Sequence, residues 1–391
     1  MIPYGRHHID QNDIDAVLEV LKSGALSQGP AIEAFEKAIA ESVGAKYSVA
    51  VSSATAGLHI AATAAGVTAN TTLVSSPITF VASTNAGLYN NSSLAFTDVE
   101  PDTINMDPGS LKKVLEQYPN TKVVMPVHFG GLPCNMPEIK KLADQAGAYI
   151  IEDAAHALGA IYPTGEKVGS CKYSLMTVFS FHPVKAIAAG EGGMITTNDV
   201  SVYRELIRLR SHGINKLDDS FQEPGQAFTN GVQNLWYYEM QELGYHYRIT
   251  DIQAGLALSQ FKKLDKFISR RKELVARYDA AFTQMKNVRP AQPTGTREQS
   301  GHHLYVVRIS FDAIGISRND FMKELRNRGI GSQVHYIPVP AQPFYRRLGF
   351  KPEDYPNANQ YYQEALSIPL FYDLSFEQQD SVITAFQELS S

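Results

Sequence analysis

A lysine closes a run of aromatic and small residues, Phe179-Ser180-Phe181-His182-Pro183-Val184-Lys185, and Gly190-Glu191-Gly192-Gly193 follows it. A lysine amine joins an aldehyde or ketone as a Schiff base only when neutral. Its surroundings must therefore hold down its affinity for a proton. Upstream, Glu152-Asp153-Ala154-Ala155-His156 ends an apolar run at 148–151 that reads as a buried strand. A carboxylate at the end of a buried strand and a lysine ahead of a glycine turn suit pyridoxal 5′-phosphate. That cofactor needs a Schiff-base lysine and an acid on its ring nitrogen.

Other residues complete the set. Val51-Ser52-Ser53-Ala54-Thr55-Ala56-Gly57 joins a strand to a helix. Small residues there let backbone N–H groups approach an anion, a helix N-terminus favours negative charge, and Thr55 can add a hydroxyl donor. The same turn serves equally for close packing. Asp153 would stand at the carboxyl end of its strand, where open α/β sheets bind ligands, or act as a helix N-cap. His156 could meet a ring hydroxyl or stack on the ring; a structural histidine is the alternative. Phe80 could cover the other ring face or belong to the core. Ser180 could donate to a phosphate.

The rest of the chain must position these groups. With 391 residues, two or more domains are expected. Hydrophobic content of 44%, charged content of 19% and a net charge of −5 match a soluble globular protein. They give no support to a nucleic-acid or membrane partner. The opening residues lack the order of a signal peptide, and no apolar run reaches spanning length. Cys134 and Cys171 form neither a disulfide framework nor a metal quartet, so a reducing cytoplasm is expected and no metal.

Helical spacing of Ile14, Val17, Leu18 and Leu21 predicts a helix over 10–22, and a second is expected over 30–43. Short apolar runs follow at 47–52, 72–75, 94–98, 122–127, 149–153, 177–181 and 193–197. Helical stretches such as 54–65 and 136–146 separate many of them. This alternation predicts an α/β domain with a mainly parallel sheet over about 25–235. Residues 212–236 read as a long loop, functional or disordered. A helix capped by Asp251 is expected over 251–282, then a polar link at 287–300. The tail reads as strand 304–309, helix 318–328, strand 332–337 and two helices near Tyr361 and Gln378. The division is therefore 1–250, an N-terminal segment with a large α/β domain, and 251–391, the long helix with a smaller α/β domain.

The motifs Ser53-Ala54-Thr55-Ala56-Gly57-Leu58-His59, Pro77-Ile78-Thr79-Phe80, the 152–159 stretch, the 179–193 stretch and Leu243-Gly244-Tyr245-His246-Tyr247-Arg248 resemble the DegT/DnrJ/EryC1/StrS sugar aminotransferases across essentially the whole chain. The resemblance implies the aspartate-aminotransferase-like type I fold, pyridoxal phosphate, and a homodimer with shared active sites. Carried over, Lys185 is the Schiff-base lysine and proton carrier, and Asp153 the partner of the pyridine nitrogen. His156 lies near the ring hydroxyl, Phe80 stacks, and Ala54, Thr55 and Ser180 contact the phosphate. His246 reaches the partner's phosphate from a position where many members carry Asn. Relatives with histidine in place of the lysine are dehydratases, and Lys185 argues against that outcome.

A narrower resemblance rests on Ile2-Pro3-Tyr4-Gly5-Arg6, 27–30 and 334–345. It points to members of the pseudaminic acid pathway. These move the amino group of L-glutamate to C4 of UDP-2-acetamido-2,6-dideoxy-β-L-arabino-hex-4-ulose, giving UDP-4-amino-4,6-dideoxy-N-acetyl-β-L-altrosamine. It makes Tyr4, His335 and Tyr336 candidate contacts to the nucleotide sugar, with interdomain packing as the alternative. Rival readings are a transaminase for another nucleotide-linked 4-keto sugar, of the bacillosamine or dTDP type, and a cofactor-binding regulator.

Overall fold

The computed structural model describes residues 1–216 and 221–390. Its centre is a seven-stranded sheet: β1 (Tyr47–Val51), β2 (Thr72–Ser75), β3 (Ser93–Phe96), β4 (Thr121–Met125), β5 (Tyr149–Asp153), β6 (Met176–Ser180) and β7 (Gly193–Thr197), in the order β1-β7-β6-β5-β4-β2-β3. Only β7 runs against its neighbours β1 and β6; the other pairs are parallel. Every expected strand of this sheet is present, with ends shifted by two residues at most. These strands read as continuous apolar runs because both faces are covered. Side-chain alternation splits them between two cores. Ala50, Ile150 and Phe179 pack on one face, and Val49, Val51, Ile151 and Val178 on the other.

Helices α1 (Gln11–Ser23), α2 (Pro30–Val43) and α3 (Ala54–Ala64) follow the expected spans. The buried face of α1 is a correction. Ile14, Leu18 and Leu21 are all more than 40% exposed. The inward residue is Asp13, whose carboxylate accepts from Ser259 Oγ (2.6 Å), Gln260 Nε2 (2.6 Å) and Lys263 Nζ (2.6 Å). Three donors satisfy the buried charge and draw that face onto the Asp251–Phe261 helix.

The predicted 251–282 helix is two helices, Asp251–Phe261 and Leu264–Phe282. Asp251 is not the cap. Thr250 is, in a capping box with Gln253. Asp251 is fully buried and instead caps α2, accepting from Gly29 N (2.8 Å) and Ala31 N (3.0 Å). Gly29, the N-cap of α2, has no side chain to do this. A Cβ there would sit 2.8 Å from Asp251 Oδ1.

The 212–236 stretch, apart from 217–220, which lie outside the described residues, is not featureless. Ile214–Asn215 pairs with Glu239–Met240, and Phe228–Thr229 with Val232–Gln233. The C-terminal part holds a three-stranded antiparallel sheet, Val288–Pro290, Tyr305–Ile309 and Ala365–Ile368. The expected strand at 332–337 is not in it. Gln333 alone bridges Ser367, and the chain then turns His335 and Tyr336 into other contacts before Pro338. Residues 2–4 join this part: Ile2 N donates to Gly329 O (2.7 Å) and Leu370 N to Tyr4 O (3.0 Å). No helix among the described residues is long and apolar enough to cross a membrane.

Asp251→Ala removes a remote cap and two buried acceptors, a loss of about 2 kcal/mol. We expect a lower thermal midpoint, with Asp251→Asn less affected. An unchanged midpoint for the alanine variant contradicts the capping role.

Candidate active site

The site forms where β5 and β6 end and β7 and α3 begin. Ser180 pairs in register with Gly193. A Cβ on Gly193 would meet Ala54 N at 2.7 Å, so only glycine admits the start of α3 this close. Ser180, Gly193 and the first turn of α3, with Ala54 and Thr55, thus lie side by side. Ser53 caps that turn by accepting from Ala56 N (3.1 Å). Amide groups at a helix start beside a serine hydroxyl make a site for an anion.

Asp153 is buried at the end of β5. Its Oδ2 accepts from Ser83 Oγ (2.6 Å) and its Oδ1 from Ala155 N (3.1 Å). No helix begins at this point in the chain, so the N-cap alternative for Asp153 does not apply. Lys185 closes a turn, its N donating to His182 O (2.8 Å). Burial lowers its side-chain pKa to about 8, against the opposing pull of the Asp153 carboxylate. The lysine therefore lies within electrostatic reach of the acid.

His156 Nδ1 accepts from Gly130 N (3.3 Å), so Nε2 bears the proton and donates to the Tyr336 hydroxyl (3.0 Å). Burial, then the charge on Lys185, holds this ring neutral, with its pKa well below the usual histidine range. The Tyr336 and His156 rings lie 21° from parallel with centroids 6.0 Å apart. Phe80 stands at the mouth, 59% exposed, its ring centroid 6.5 Å from that of Tyr336. His335 Nδ1 meets Ser367 Oγ (2.8 Å), and the Tyr4 ring lies 5.4 Å from the His335 ring. Burial pushes the His335 pKa down to about 3.

His303, which the sequence reading passed over, belongs to this group. Its Nε2 is 3.4 Å from Lys185 Nζ, and its ring centroid is 4.4 Å from that of His156. The only sign in the sequence was the pair His302-His303 ahead of an apolar strand. His246 lies apart. It is exposed, bridges Ser211 and packs edge-on against His212 at 5.3 Å. Its neighbours are pinned, with Tyr245 N on Leu209 O (2.7 Å) and Ser52 N on Tyr247 O (2.8 Å).

Lys185, Asp153 and an amide-lined turn that a single Cβ would fill are the donor set that pyridoxal phosphate requires, so the residues fit the group. A groove of about 1480 Å³ elsewhere, between α2, β1 and the Val200–Arg210 helix, has no such set.

Comparison with known proteins agrees. The DegT/DnrJ/EryC1/StrS aminotransferase family profile matches residues 7–387. The chain belongs to this family. It is 37% identical over 393 residues to the spore coat polysaccharide biosynthesis protein SpsC of Bacillus subtilis (strain 168), covering 99% of this chain and 97% of that one. Helicobacter pylori PseC, an aminotransferase involved in the biosynthesis of pseudoaminic acid, superposes with a TM-score of 0.88 at 27% identity, covering 100% of this chain and 99% of that one. The putative sugar aminotransferase Spr1654 of Streptococcus pneumoniae in its PMP form gives 0.89 at 28% identity, over 100% and 99% of the two chains. The same protein has also been solved in a PLP form. The protein is thus a pyridoxal-phosphate-dependent sugar aminotransferase with an α/β fold of the type these structures share.

The lowered pKa of Lys185 has a stability consequence. Between about 8 and the ordinary 10.5 the unfolded chain holds the extra proton, so apoenzyme stability rises as pH climbs through that window. Below it, the buried ammonium costs stability. Lys185→Met should therefore raise the thermal midpoint of the apoenzyme at pH 7, with the difference shrinking toward pH 10.5. A less stable methionine variant at pH 7 contradicts this.

Proposed function

We propose that this aminotransferase moves the amino group of L-glutamate to C4 of UDP-2-acetamido-2,6-dideoxy-β-L-arabino-hex-4-ulose, giving UDP-4-amino-4,6-dideoxy-N-acetyl-β-L-altrosamine. The observation that carries the chemistry is the partly buried Lys185 amine within electrostatic reach of the Asp153 carboxylate. The full-length similarity to PseC supports the choice of sugar.

In this reading Asp153 holds the pyridine nitrogen, His156 stands by the ring hydroxyl and Phe80 covers the ring. Ala54, Thr55 and Ser180 hold the phosphate. Tyr4, His335 and Tyr336 line the path of the nucleotide sugar. Bound pyridoxal phosphate supplies the electron sink and carries the amino group between substrates. Lys185 Nζ takes the proton from the donor's α-carbon and returns a proton in the second half of the cycle. With a pKa near 8, about a tenth of such an amine is free base at pH 7, against roughly one part in three thousand for an ordinary lysine. The neutral imidazoles of His156 and His335 add no positive charge beside it.

The same reading makes the enzyme a cytoplasmic homodimer, with His246 and the 244–248 segment serving the partner's site. Both cysteines are buried and free, in keeping with a reducing compartment. Leu235, Trp236 and Leu243 are 92%, 76% and 77% exposed and lead into that segment, an apolar surface suited to a second copy. We also divide the chain at residue 250. A separate apolar core from Leu274 to Phe386 supports the second domain, with Ile2 packing against it.

A second reading, a transaminase for another nucleotide-linked 4-keto sugar, is favoured by the higher identity to SpsC. An amination assay decides between them. With glutamate and cofactor, we expect the L-arabino 4-keto UDP-sugar to gain one amine by mass spectrometry and the D-xylo isomer not to. Turnover of the D-xylo isomer alone selects the second reading. Lys185→Ala should abolish turnover, and wild-type rates in that variant refute the assignment.

For the dimer, Trp236→Glu should shift sedimentation toward the monomer and remove activity. Mixed subunits of Lys185→Ala and His246→Ala should regain activity that neither has alone. No recovery in demonstrated mixed dimers argues against shared sites.

A further inference from the structure

The backbone around His303 is held by the 130–131 turn and by Arg271. His303 N donates to Gly130 O (3.0 Å), and Gly301 N donates to Gly131 O (3.0 Å). Arg271 Nη1 donates to the carbonyls of His302 (3.4 Å), His303 (3.3 Å) and Leu370 (2.9 Å). The 130–131 turn accepts this only as glycine: a Cβ at Gly131, with φ +104°, would meet His302 N at 2.9 Å. Arg271 is itself buried, and among the described residues it makes these contacts with carbonyls rather than carboxylates. A buried guanidinium spent on fixing one loop marks that loop as a built feature.

The ring this clamp delivers is 5% exposed. Its Nε2 faces Lys185 Nζ at 3.4 Å, and its Nδ1 has no protein partner among the described residues. The charged and titratable groups around it are Lys185, His156, His335 and Arg271, with Asp153 and Tyr336 beyond them. Burial, then the charge on Lys185, keeps the imidazole neutral. A neutral imidazole has one acceptor nitrogen. With a pKa of about 8, Lys185 Nζ is mostly an ammonium at neutral pH and can only donate to it, which puts the ring proton on the partnerless Nδ1. With no protein acceptor behind Nδ1, the ring has no protein route to pass a proton on. It acts as a fixed acceptor rather than a relay.

We propose that His303 is a positioning residue for Lys185: its Nε2 accepts a hydrogen bond from Nζ whenever the amine is free, fixing the direction in which the amine's lone pair points. This rests on Lys185 being the reacting lysine. Nζ carries two hydrogens when neutral, and one spent on His303 removes most of the freedom of a flexible side chain.

The test pairs His303→Phe, which keeps volume and burial but not the acceptor, with His303→Gln, which restores an acceptor at similar reach. In apoenzyme, the pH dependence of Lys185 modification by an amine reagent is mapped by mass spectrometry. The phenylalanine variant should move the midpoint to lower pH by about half a unit to one unit, because the ammonium loses its acceptor. In the loaded enzyme, kcat should fall about tenfold with KM for both substrates changed by less than about twofold, the signature of an interaction made at the reacting step. The isotope effect with α-deuterated glutamate should rise. His303→Gln should recover part of each. If the phenylalanine variant does not fold, His303→Asn, whose acceptor falls short of Nζ, should show the same midpoint shift. A wild-type midpoint and kcat in a folded variant overturn the proposal and show that His303 only packs. Borohydride trapping in wild type separates the premise: a label away from position 185 fails the Lys185 assignment, whereas a label at 185 with unmoved midpoints fails His303 alone.

Discussion

Taking an amine out of water is the constraint on which this structure turns. An ammonium buried without a carboxylate in contact is costly, and the chain answers by lowering the pKa of Lys185 to about 8. Its surroundings are chosen to keep that answer stable. His156, His303 and His335 are all held neutral by burial, so they offer hydrogen-bonding atoms without adding charge. Asp153 opposes the shift, but Ser83 and the Ala155 N–H occupy both of its oxygens and turn it away from a direct ion pair. The balance leaves a lysine that is reactive near neutral pH and still under the influence of one acid.

The scaffold behind that pocket is rigid for a separate reason. Strand alternation sends Asp153 toward the Ala82–Tyr89 helix and Glu152 to the opposite face. There Glu152 accepts from Tyr162 (2.5 Å), Ser174 (2.5 Å), Thr177 (3.1 Å) and His128 Nε2 (2.7 Å). Burial opposes and Glu152 favours a charged His128 ring, but the geometry decides. Nδ1 already accepts from Cys134 N (3.1 Å), so the ring carries its single proton on Nε2. His128 N also donates to the Asp153 carbonyl (3.1 Å). A fully satisfied polar network thus ties the end of β4 to β5 and β6 directly under the acid. A neighbour that looks like half of an Asp-Glu pair is structural, and the two carboxylates share a strand but no chemistry.

The parts of the site that were readable in sequence are those carried by local signals. Asp153 ends a strand, Lys185 precedes glycines, and Ala54 and Thr55 open a helix, so each is marked by its own neighbours. What was missed depends on contacts far along the chain. His303 meets Lys185 across 118 positions, and nothing in Gly301-His302-His303 announces it. Asp251 looks like a cap for the helix it starts, but it faces α2 because Gly29 leaves that helix end uncovered. The strand expected at 332–337 has the right alternation, yet His335 and Tyr336 are drawn out of the sheet by Ser367 and His156. In α1 the apolar stripe misled, since three donors for Asp13 outweigh the burial of Ile14 and Leu18. Pattern locates elements; partner satisfaction decides which way they face.

One chain leaves large apolar rings in water: Phe80, Trp236 and Tyr238 all stand more than half exposed. Apolar surface in water is unfavourable by about 25 cal/mol per Å². The side chains at 236 and 238, close in sequence to the pinned 245–247 segment, are unfavourable in water unless something covers them. In the proposed dimer a second copy would do so, because a two-fold contact places the same stretch of each chain against the other. In that proposed dimer, cover for the lysine would come in part from outside the chain that carries it. The clamp on His303, by contrast, is built within one chain, from Gly130, Gly131 and Arg271.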